Sequence, residues 1–382
     1  MDLNSMKSHF NRIYEPLDAY LEPSRVLVIY GPRRVGKTTL LNAFLDQTTL
    51  KYKFDTGDDI HVQQVLSSSD ISLINEYCRG YELIVIDEAQ YVPAIGKGLK
   101  IIVDHVPGIR VIATGSSSFD LSNKLGEPLV GRQRILKLFP LSVLELLQHN
   151  NRVEIQQQLP ALLIFGMYPE VLRKEGHDKK ALYLVELVNA YLLKDILALE
   201  NVKSPKVLLD LLRLLAYQVG SEVSLNELAN ALKLDVKTVG RYLDLLEKSF
   251  IIFSLGGFSR NLRNEITSKR KYYFYDTGIR NAVINAFNPL ELRNDIGSLW
   301  ENFLVVERLK KKTYQLIFSN DFFWRTYAQQ EIDLIEEREG KLFAYEFKWK
   351  SRSYKPPKAW LKNYPEAAVL MITQDNFFDF VS

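Results

Sequence analysis

Residues Val26–Asn42 read VLVIYGPRRVGKTTLLN, an apolar strand that runs into a glycine-bearing loop and then into a helix. From Gly31 to Thr38 the spacing is G-x-x-x-x-G-K-T, and the glycines allow successive backbone N–H groups to turn inward around phosphates. The loop residues Gly31, Pro32, Arg33, Arg34, Val35 and Gly36 are therefore the candidate phosphate cradle, with Thr39 on the helix behind it. Lys37 is placed to reach the outer phosphates and Thr38 to offer its hydroxyl to Mg²⁺. The helix that starts there points the positive end of its dipole at the same anion. ATP and Mg²⁺ are the expected cofactors.

The other half of that site is expected at Leu83 to Gln90, LIVIDEAQ, a short apolar run ending in two carboxylates. Such a run suits a parallel strand buried on both faces. Asp87 would share the Mg²⁺ with Thr38, and Glu88, one residue on, would polarise the attacking water. Hydrolysis needs an oriented nucleophile and neutralised charge on the γ-phosphoryl group, and this pairing offers both. A further strand is expected at Tyr52–Phe54 and another at Val111–Thr114. The polar tip of the latter, with Ser116, would sense the γ-phosphate or form a plain serine-rich turn. Beyond it, Arg132 is a candidate for reaching a phosphate in a neighbouring subunit, the alternative being a solvated basic turn.

At 382 residues the chain is long enough for two to four domains, and 47% hydrophobic with 25% charged residues is a globular composition. The single cysteine, Cys78, excludes an internal disulfide framework and suits a reducing compartment. No apolar run approaches the ~18 residues of a membrane helix, and the first residues lack the apolar core of a signal peptide. A cytoplasmic location with no membrane partner is expected. A formal net charge of +3 is too small to argue for nucleic acid, so the distribution of charge matters more.

From about residue 25 to 139 strands and helices alternate, which predicts a parallel sheet between helical layers. Residues 140 to about 200 are helical in pattern and are expected to form a lid over the nucleotide. The break GMYP ends in Pro169, which would press on the base or simply interrupt a helix.

These pieces together carry a resemblance. GPRRVGKT, IVIDEAQ, IATGSSSF, GRQRI followed by FPLSVLELL, and GMYPEVL resemble the prokaryotic AAA-type ATPases that carry a C-terminal domain of unassigned function. FYDTGIRNAV and LWENFLVVERL resemble that C-terminal domain. Met167 stands where the family usually has a second glycine before the proline. The resemblance implies an ATPase core, a helical lid, a winged helix and a nuclease-like terminal fold. It also implies an oligomer, with a hexameric ring among its forms.

From Pro205 a different pattern begins: a helix to Val219, a Ser224-x-x-Glu227 capping signal, a third helix from Val236, the strand IIFSL and a glycine turn at Gly256-Gly257. This is the outline of a winged helix-turn-helix. Between Lys203 and Tyr272 there are twelve Lys and Arg against seven Asp and Glu. That excess suits a DNA backbone contact, strongest around Arg260, Arg263 and Lys269-Arg270-Lys271; protein contact is the alternative role.

In the last unit, Trp300–Lys312 reads as an amphipathic helix bearing Glu301. Glu331–Arg338 and Lys341–Trp349 read as a hairpin closing at Glu339-Gly340. A two-residue loop sets Asp333 opposite Glu346, and a four-residue loop makes them diagonal neighbours; both put them on one face with Lys348. Two hard oxygen ligands and a nearby cation are what metal-dependent phosphodiester cleavage needs. Asp333, Glu346 and Lys348 resemble the motif positions of the PD-(D/E)xK nucleases, with Ile332 in place of the motif proline and Glu301 completing the metal set. A fold that binds DNA without cutting it is the other possibility. Basic residues from Lys348 to Lys362, interleaved with Trp349, Tyr354 and Trp360, suit a nucleic-acid groove with stacking platforms.

The expected fold class is therefore α/β, divided as a P-loop AAA-type core at 1–139, a helical lid at 140–203, a winged helix-turn-helix at 204–272 and a PD-(D/E)xK-like domain at 273–382. The expected function is a Mg²⁺-dependent ATPase that binds and remodels duplex or branched DNA as an oligomer, with nuclease activity of the C-terminal domain as a further option. The alternative is an ATP-operated switch with an inactive nuclease-like domain.

Overall fold

The computed structural model describes residues 10–115, 129–192, 204–259, 270–326, 328–350 and 354–382. Ser116, Arg260, Arg263, Lys269 and Arg352 lie outside these residues. The chain divides into two compact units, one made of Asn11–Phe139 with Lys248–Phe250 and the other of Met1–Phe10, Pro140–Glu247 and Ile251–Ser382.

The first unit is built on a five-stranded sheet: β1 (Val26–Tyr30), β2 (Tyr52–Thr56), β3 (Leu83–Asp87), β4 (Arg110–Gly115) and β5 (Gln133–Lys137), in the order β2-β3-β4-β1-β5. Every neighbouring pair is parallel. All five residues of β1 and of β3 are buried, so both faces of the sheet centre are covered, whereas the edge strands β2 and β5 alternate with solvent. Gln133 and Arg134, which follow Arg132, begin β5. Helices Ile60–Ser67 and Ile71–Cys78 start where Asp59 and Asp70 accept backbone N–H bonds at their N-termini. Cys78 is buried, and burial pushes its thiol up to about 11, which fits a packing role. Because β1 lies between β4 and β5, and β3 lies beside β4, the C-terminal ends of β1, β4 and β3 stand in a row.

The second unit begins with helices Val143–Leu146, Arg152–Phe165, Pro169–Arg173 and His177–Glu186. Ser142 with Glu145, and Asn151 with Glu154, form reciprocal capping boxes on the first two. Helices Pro205–Tyr217, Leu225–Leu232 and Val236–Lys248 follow, and Ser224 accepts from Glu227 N at 3.4 Å to open the middle one.

A seven-stranded sheet completes the unit. Its strands are β6 (Glu222–Val223), β7 (Ile252–Gly257), β8 (Arg270–Phe274), β9 (Asn320–Arg325), β10 (Glu331–Arg338), β11 (Lys341–Phe347) and β12 (Val369–Ile372), in the order β12-β11-β10-β9-β7-β8-β6.

Two expectations are corrected here. Gly256-Gly257 is not a turn; both glycines continue β7 and pair in parallel with Phe322 and Phe323 of β9. The expected 272/273 boundary falls inside β8, and the parallel β7–β9 pair joins the strands on either side of it into one sheet. The β10–β11 hairpin takes the two-residue form, with Arg338 paired to Lys341 and both Glu339 and Gly340 at positive φ.

Hydrogen bonding around the segment FYDTGIRNAV explains why its polar residues are buried. Asp276 accepts from Met167 N at 2.7 Å and from Ile279 N at 3.1 Å, and so caps helix Thr277–Val283 while holding the GMYP loop. Asn281 Nδ2 donates to the Leu163 and Ile164 carbonyls, and Thr277 Oγ1 to that of Leu162. The last carbonyls of helix Arg152–Phe165 are thus satisfied by side chains from over a hundred residues away. Gly166 has φ +70°, and a Cβ there would overlap the Asp276 carboxylate.

Candidate functional site

The phosphate loop leaves β1 at Gly31 and enters helix Lys37–Leu45 through Gly36, which has φ 97°. A Cβ at Gly31 would overlap the Leu138 carbonyl oxygen, so the loop lies against the chain that follows β5. Arg12, a buried residue that no motif singles out, holds the same region. Its Nη1 donates to the Val35 carbonyl inside the loop, and its Nη2 donates to the Phe139 carbonyl at 2.7 Å. Arg33 Nη2 donates to the Tyr91 hydroxyl at 2.6 Å.

Lys37 Nζ donates to the Gly31 and Pro32 carbonyls, both at 2.9 Å, which folds the lysine back over the loop. Thr38 Oγ1 donates to Asp87 Oδ2 at 3.0 Å. Thr114, fully buried at the end of β4, donates its hydroxyl to Asp87 Oδ1, and Glu88 N donates to Thr114 Oγ1 at 3.2 Å. Asp87 is thereby fixed from both sides, which is the task of β4's position between β1 and β3. Glu88 sits at φ 48°, ψ 42°, a left-handed conformation for a non-glycine residue, and accepts from Gln90 Nε2. The hydroxyl of Thr38 and the carboxylate of Asp87 form a hard-oxygen pair that fits Mg²⁺, so these two residues would hold the ion.

Sequence reasoning placed Lys37, Thr38, Asp87 and Glu88 together, and the structure brings them to one sheet edge. It missed Thr114 as the buried member of the site. Arg132 Nε pairs with Asp104 Oδ1 at 2.6 Å on a half-exposed surface. Pro169 is the first residue of helix Pro169–Arg173 in the second unit.

A second cluster lies in the second unit. Glu301, on helix Ile296–Tyr314, accepts at Oε1 from Lys271 Nζ at 3.0 Å and from the Tyr273 hydroxyl at 2.7 Å. Lys271 and Tyr273 alternate along β8 and so face the same way. Lys271 also pairs with Glu331 Oε1 at 2.5 Å, and Arg325 Nη1 lies 3.8 Å from the other oxygen of Glu331. Asp333, at a register shift between β9 and β10, accepts from Phe347 N at 2.8 Å. Continuing the β10–β11 register places it opposite Glu346, whose carboxylate meets Lys348 Nζ at 2.6 Å and the Tyr354 hydroxyl at 3.4 Å.

Burial pushes Glu301 up to about 7 against the pull of Lys271, and burial with the neighbouring Asp333 pushes Glu346 up to about 7. Burial raises Asp333 as well. For Lys271, burial favours the neutral amine, but Glu301, Asp333 and Glu331 outweigh it and hold the ammonium charged.

Two expectations about basic and aromatic residues are corrected. Lys271, taken with Lys269 and Arg270 as a backbone-contact run, is fully buried in this cluster. Trp360, taken as a stacking platform, is fully buried; it packs on Trp324 at 5.3 Å and donates Nε1 to the Ala367 carbonyl at 2.8 Å. Lys237 and Arg241 on helix Val236–Lys248, and Lys348, Lys350, Lys355, Lys358 and Lys362 further on, are exposed. Among the described residues no helix is long and apolar enough to cross a membrane.

The parallel sheet, the loop and the Thr38–Asp87 pair define the first unit as an AAA-type P-loop ATPase domain. Comparison with known proteins agrees: residues 23–147 match the family described as AAA domain. Residues 156–290 and 296–380 match two families described as domains of unknown function, DUF8612 and DUF4143. The chain is 28% identical over 333 residues to an uncharacterized protein of Mycobacterium tuberculosis, covering 86% of this chain and 71% of that one. It is 25% identical over 349 residues to an uncharacterized protein of Methanocaldococcus jannaschii, covering 86% and 76%. A solved Signal Transduction ATPase with Numerous Domains (STAND) protein with a tetratricopeptide repeat sensor, from Pyrococcus horikoshii, shares 14% identity at a TM-score of 0.26. The match covers 75% of this chain and only 43% of that one. A likeness at that level carries no inference about fold or assembly.

Proposed function

We propose that this protein is a Mg²⁺-dependent ATPase that binds DNA and, as an oligomer, couples turnover to remodelling of duplex or branched DNA. The observation that carries the ATPase part is the Thr38–Asp87 bond at 3.0 Å with Glu88 next in the chain. Bound Mg²⁺ would neutralise charge on the phosphates. Lys37 would exchange the Gly31 and Pro32 carbonyls for phosphate oxygens, and Glu88 would orient the water for in-line attack. Arg132 would leave Asp104 to contact the phosphate of a neighbouring protomer.

For DNA, the supporting features are exposed lysines and arginines on two elements. Lys237 and Arg241 lie on the third helix of the winged-helix outline, and Lys348 to Lys362 follow the nuclease-like hairpin. Backbone contacts of this kind make binding fall steeply with salt.

A second reading has its own observation. The ion pairs of Lys271 with Glu301 and Glu331 favour an ATP-operated switch whose nuclease-like domain is inactive.

The test is ATP turnover with and without duplex, single-stranded and four-way-junction DNA, with E88Q as control and a gel of the DNA afterwards. Stimulation by one DNA form, with that DNA left intact, is the expected result. Turnover indifferent to every form would overturn the remodelling proposal in favour of the switch.

A further inference from the structure

We propose that Lys271 is the built-in cation of the C-terminal carboxylate cluster: its ammonium occupies the place of a divalent metal, so the site takes up no such ion and cuts no DNA. This deepens the nuclease-like reading of the cluster and rests on it.

The first argument is position. Lys271 is fully buried, and its Nζ lies 3.0 Å from Glu301 Oε1 and 2.5 Å from Glu331 Oε1. Divalent Mg²⁺ holds oxygen ligands at about 2.1 Å, so an ammonium at those distances and a metal between the same oxygens exclude each other. The side chain is packed as well as paired, with Nζ 5.5 Å from the centre of the Phe323 ring.

The second argument is the engagement of the remaining donors. Asp333 Oδ2 accepts from the backbone of Phe347, and Glu346 is turned to Lys348 and Tyr354. Among the described residues no three His, Cys, Asp or Glu side chains are grouped so as to hold a metal ion. The donor set that the nuclease resemblance implies therefore does not fit a divalent ion as it stands.

The third is charge. Lys271 sets its ammonium between Glu301 and Glu331 and in the field of Asp333. With Lys271 replaced by a neutral side chain these carboxylates lose that cation, and the demand for one from solution rises.

That difference gives the experiment. Full-length protein without nucleotide is titrated with Mn²⁺, with free ion followed by electron paramagnetic resonance, in a D87N background that removes the carboxylate at the ATP site. The expected result is no Mn²⁺ site in D87N, one site in D87N/K271Q, and loss of that site again in D87N/K271Q/D333N. Mn²⁺ should also raise the melting temperature of D87N/K271Q and leave that of D87N unchanged. A Mn²⁺ site in D87N that vanishes when Asp333 is replaced by Asn would overturn the proposal. So would a folded K271Q chain that gains no site. Should K271Q fail to fold, the D87N titration alone still decides, because it asks whether the native cluster binds the ion. DNA-stimulated ATP turnover reads the broader function separately, so failure of one does not imply failure of the other.

Discussion

Replacing Arg12 by Met tests whether the phosphate loop is held in shape from outside its own motif. Arg12 is buried and donates to two carbonyls, Val35 O within the loop and Phe139 O beyond β5. Met keeps most of the stem volume and removes both donors. A hydrogen bond from a charged donor is worth about 1.5–3 kcal/mol, and a buried carbonyl left without a partner costs a similar amount. Allowing for partial entry of water, R12M should lose about 3 kcal/mol from the ATPase unit. At roughly 3 °C per kcal/mol this is a fall of about 10 °C in its melting transition. R12K, whose single ammonium reaches only one carbonyl, should fall about half as far. Because Val35 sits inside the loop, its release also adds conformations that a bound nucleotide must suppress. Affinity for a non-hydrolysable ATP analogue should drop about tenfold, or about 1.4 kcal/mol. Melting by calorimetry and affinity by titration are independent assays of one cause. An R12M protein that melts within about 2 °C of wild type and binds the analogue equally well would refute the reasoning.

Three further outcomes are expected. E88Q should retain nucleotide binding while phosphate release slows by about 10²–10³-fold; a loss of less than about threefold would remove Glu88 from the role of orienting water. G166A should destabilise the second unit by about 2–4 kcal/mol, because the added Cβ meets the Asp276 carboxylate at a positive φ; a denaturant midpoint equal to wild type would show that the GMYP loop has room to shift. Burial pushes the Asp295 carboxyl up, but hydrogen bonds from Arg293 and the charge of Arg280 outweigh it and hold it at about 2, below its ordinary 3.8. The stabilisation from this group is therefore complete above about pH 4 and is lost as pH falls toward 2, so D295N should be less stable at pH 7 and flatter across that window in acid unfolding.

The parts of the molecule that were legible in the sequence are those whose causes are local. The phosphate loop is one continuous stretch, and Asp87 and Glu88 end an apolar run whose burial follows from its composition. A hairpin closing at Glu339-Gly340 with Asp333 and Glu346 on one face was legible from period-two alternation, whereas the choice between a two-residue and a four-residue loop was left to the structure, which takes the two-residue form. What could not be read depends on partners distant in the chain. The two carbonyls that give Arg12 its purpose lie 23 and 127 residues away. The strand that converts Gly256-Gly257 from an apparent turn into a ladder is β9, more than sixty residues on. Trp360 looked like an exposed platform because lysines flank it, yet on a short helix its neighbours in sequence point elsewhere, and its ring closes the core around Trp324 and Ile335.

Lys271 is the sharpest case. In a list of charges it belongs with Arg270. In a strand, consecutive side chains leave opposite faces, so Arg270 meets solvent while Lys271 turns inward with Tyr273 onto Glu301. The signal was present in the sequence as a lysine followed by Tyr272, Tyr273 and Phe274, a run too apolar to leave every preceding cation on the surface. Reading it required knowing that a carboxylate waited on a helix thirty residues later. A basic run that enters a strand thus divides into an outward set, which can meet phosphate, and an inward set, which must find buried acids. Here that division takes a residue away from the DNA-contact tally and gives it to the cluster whose chemistry it governs.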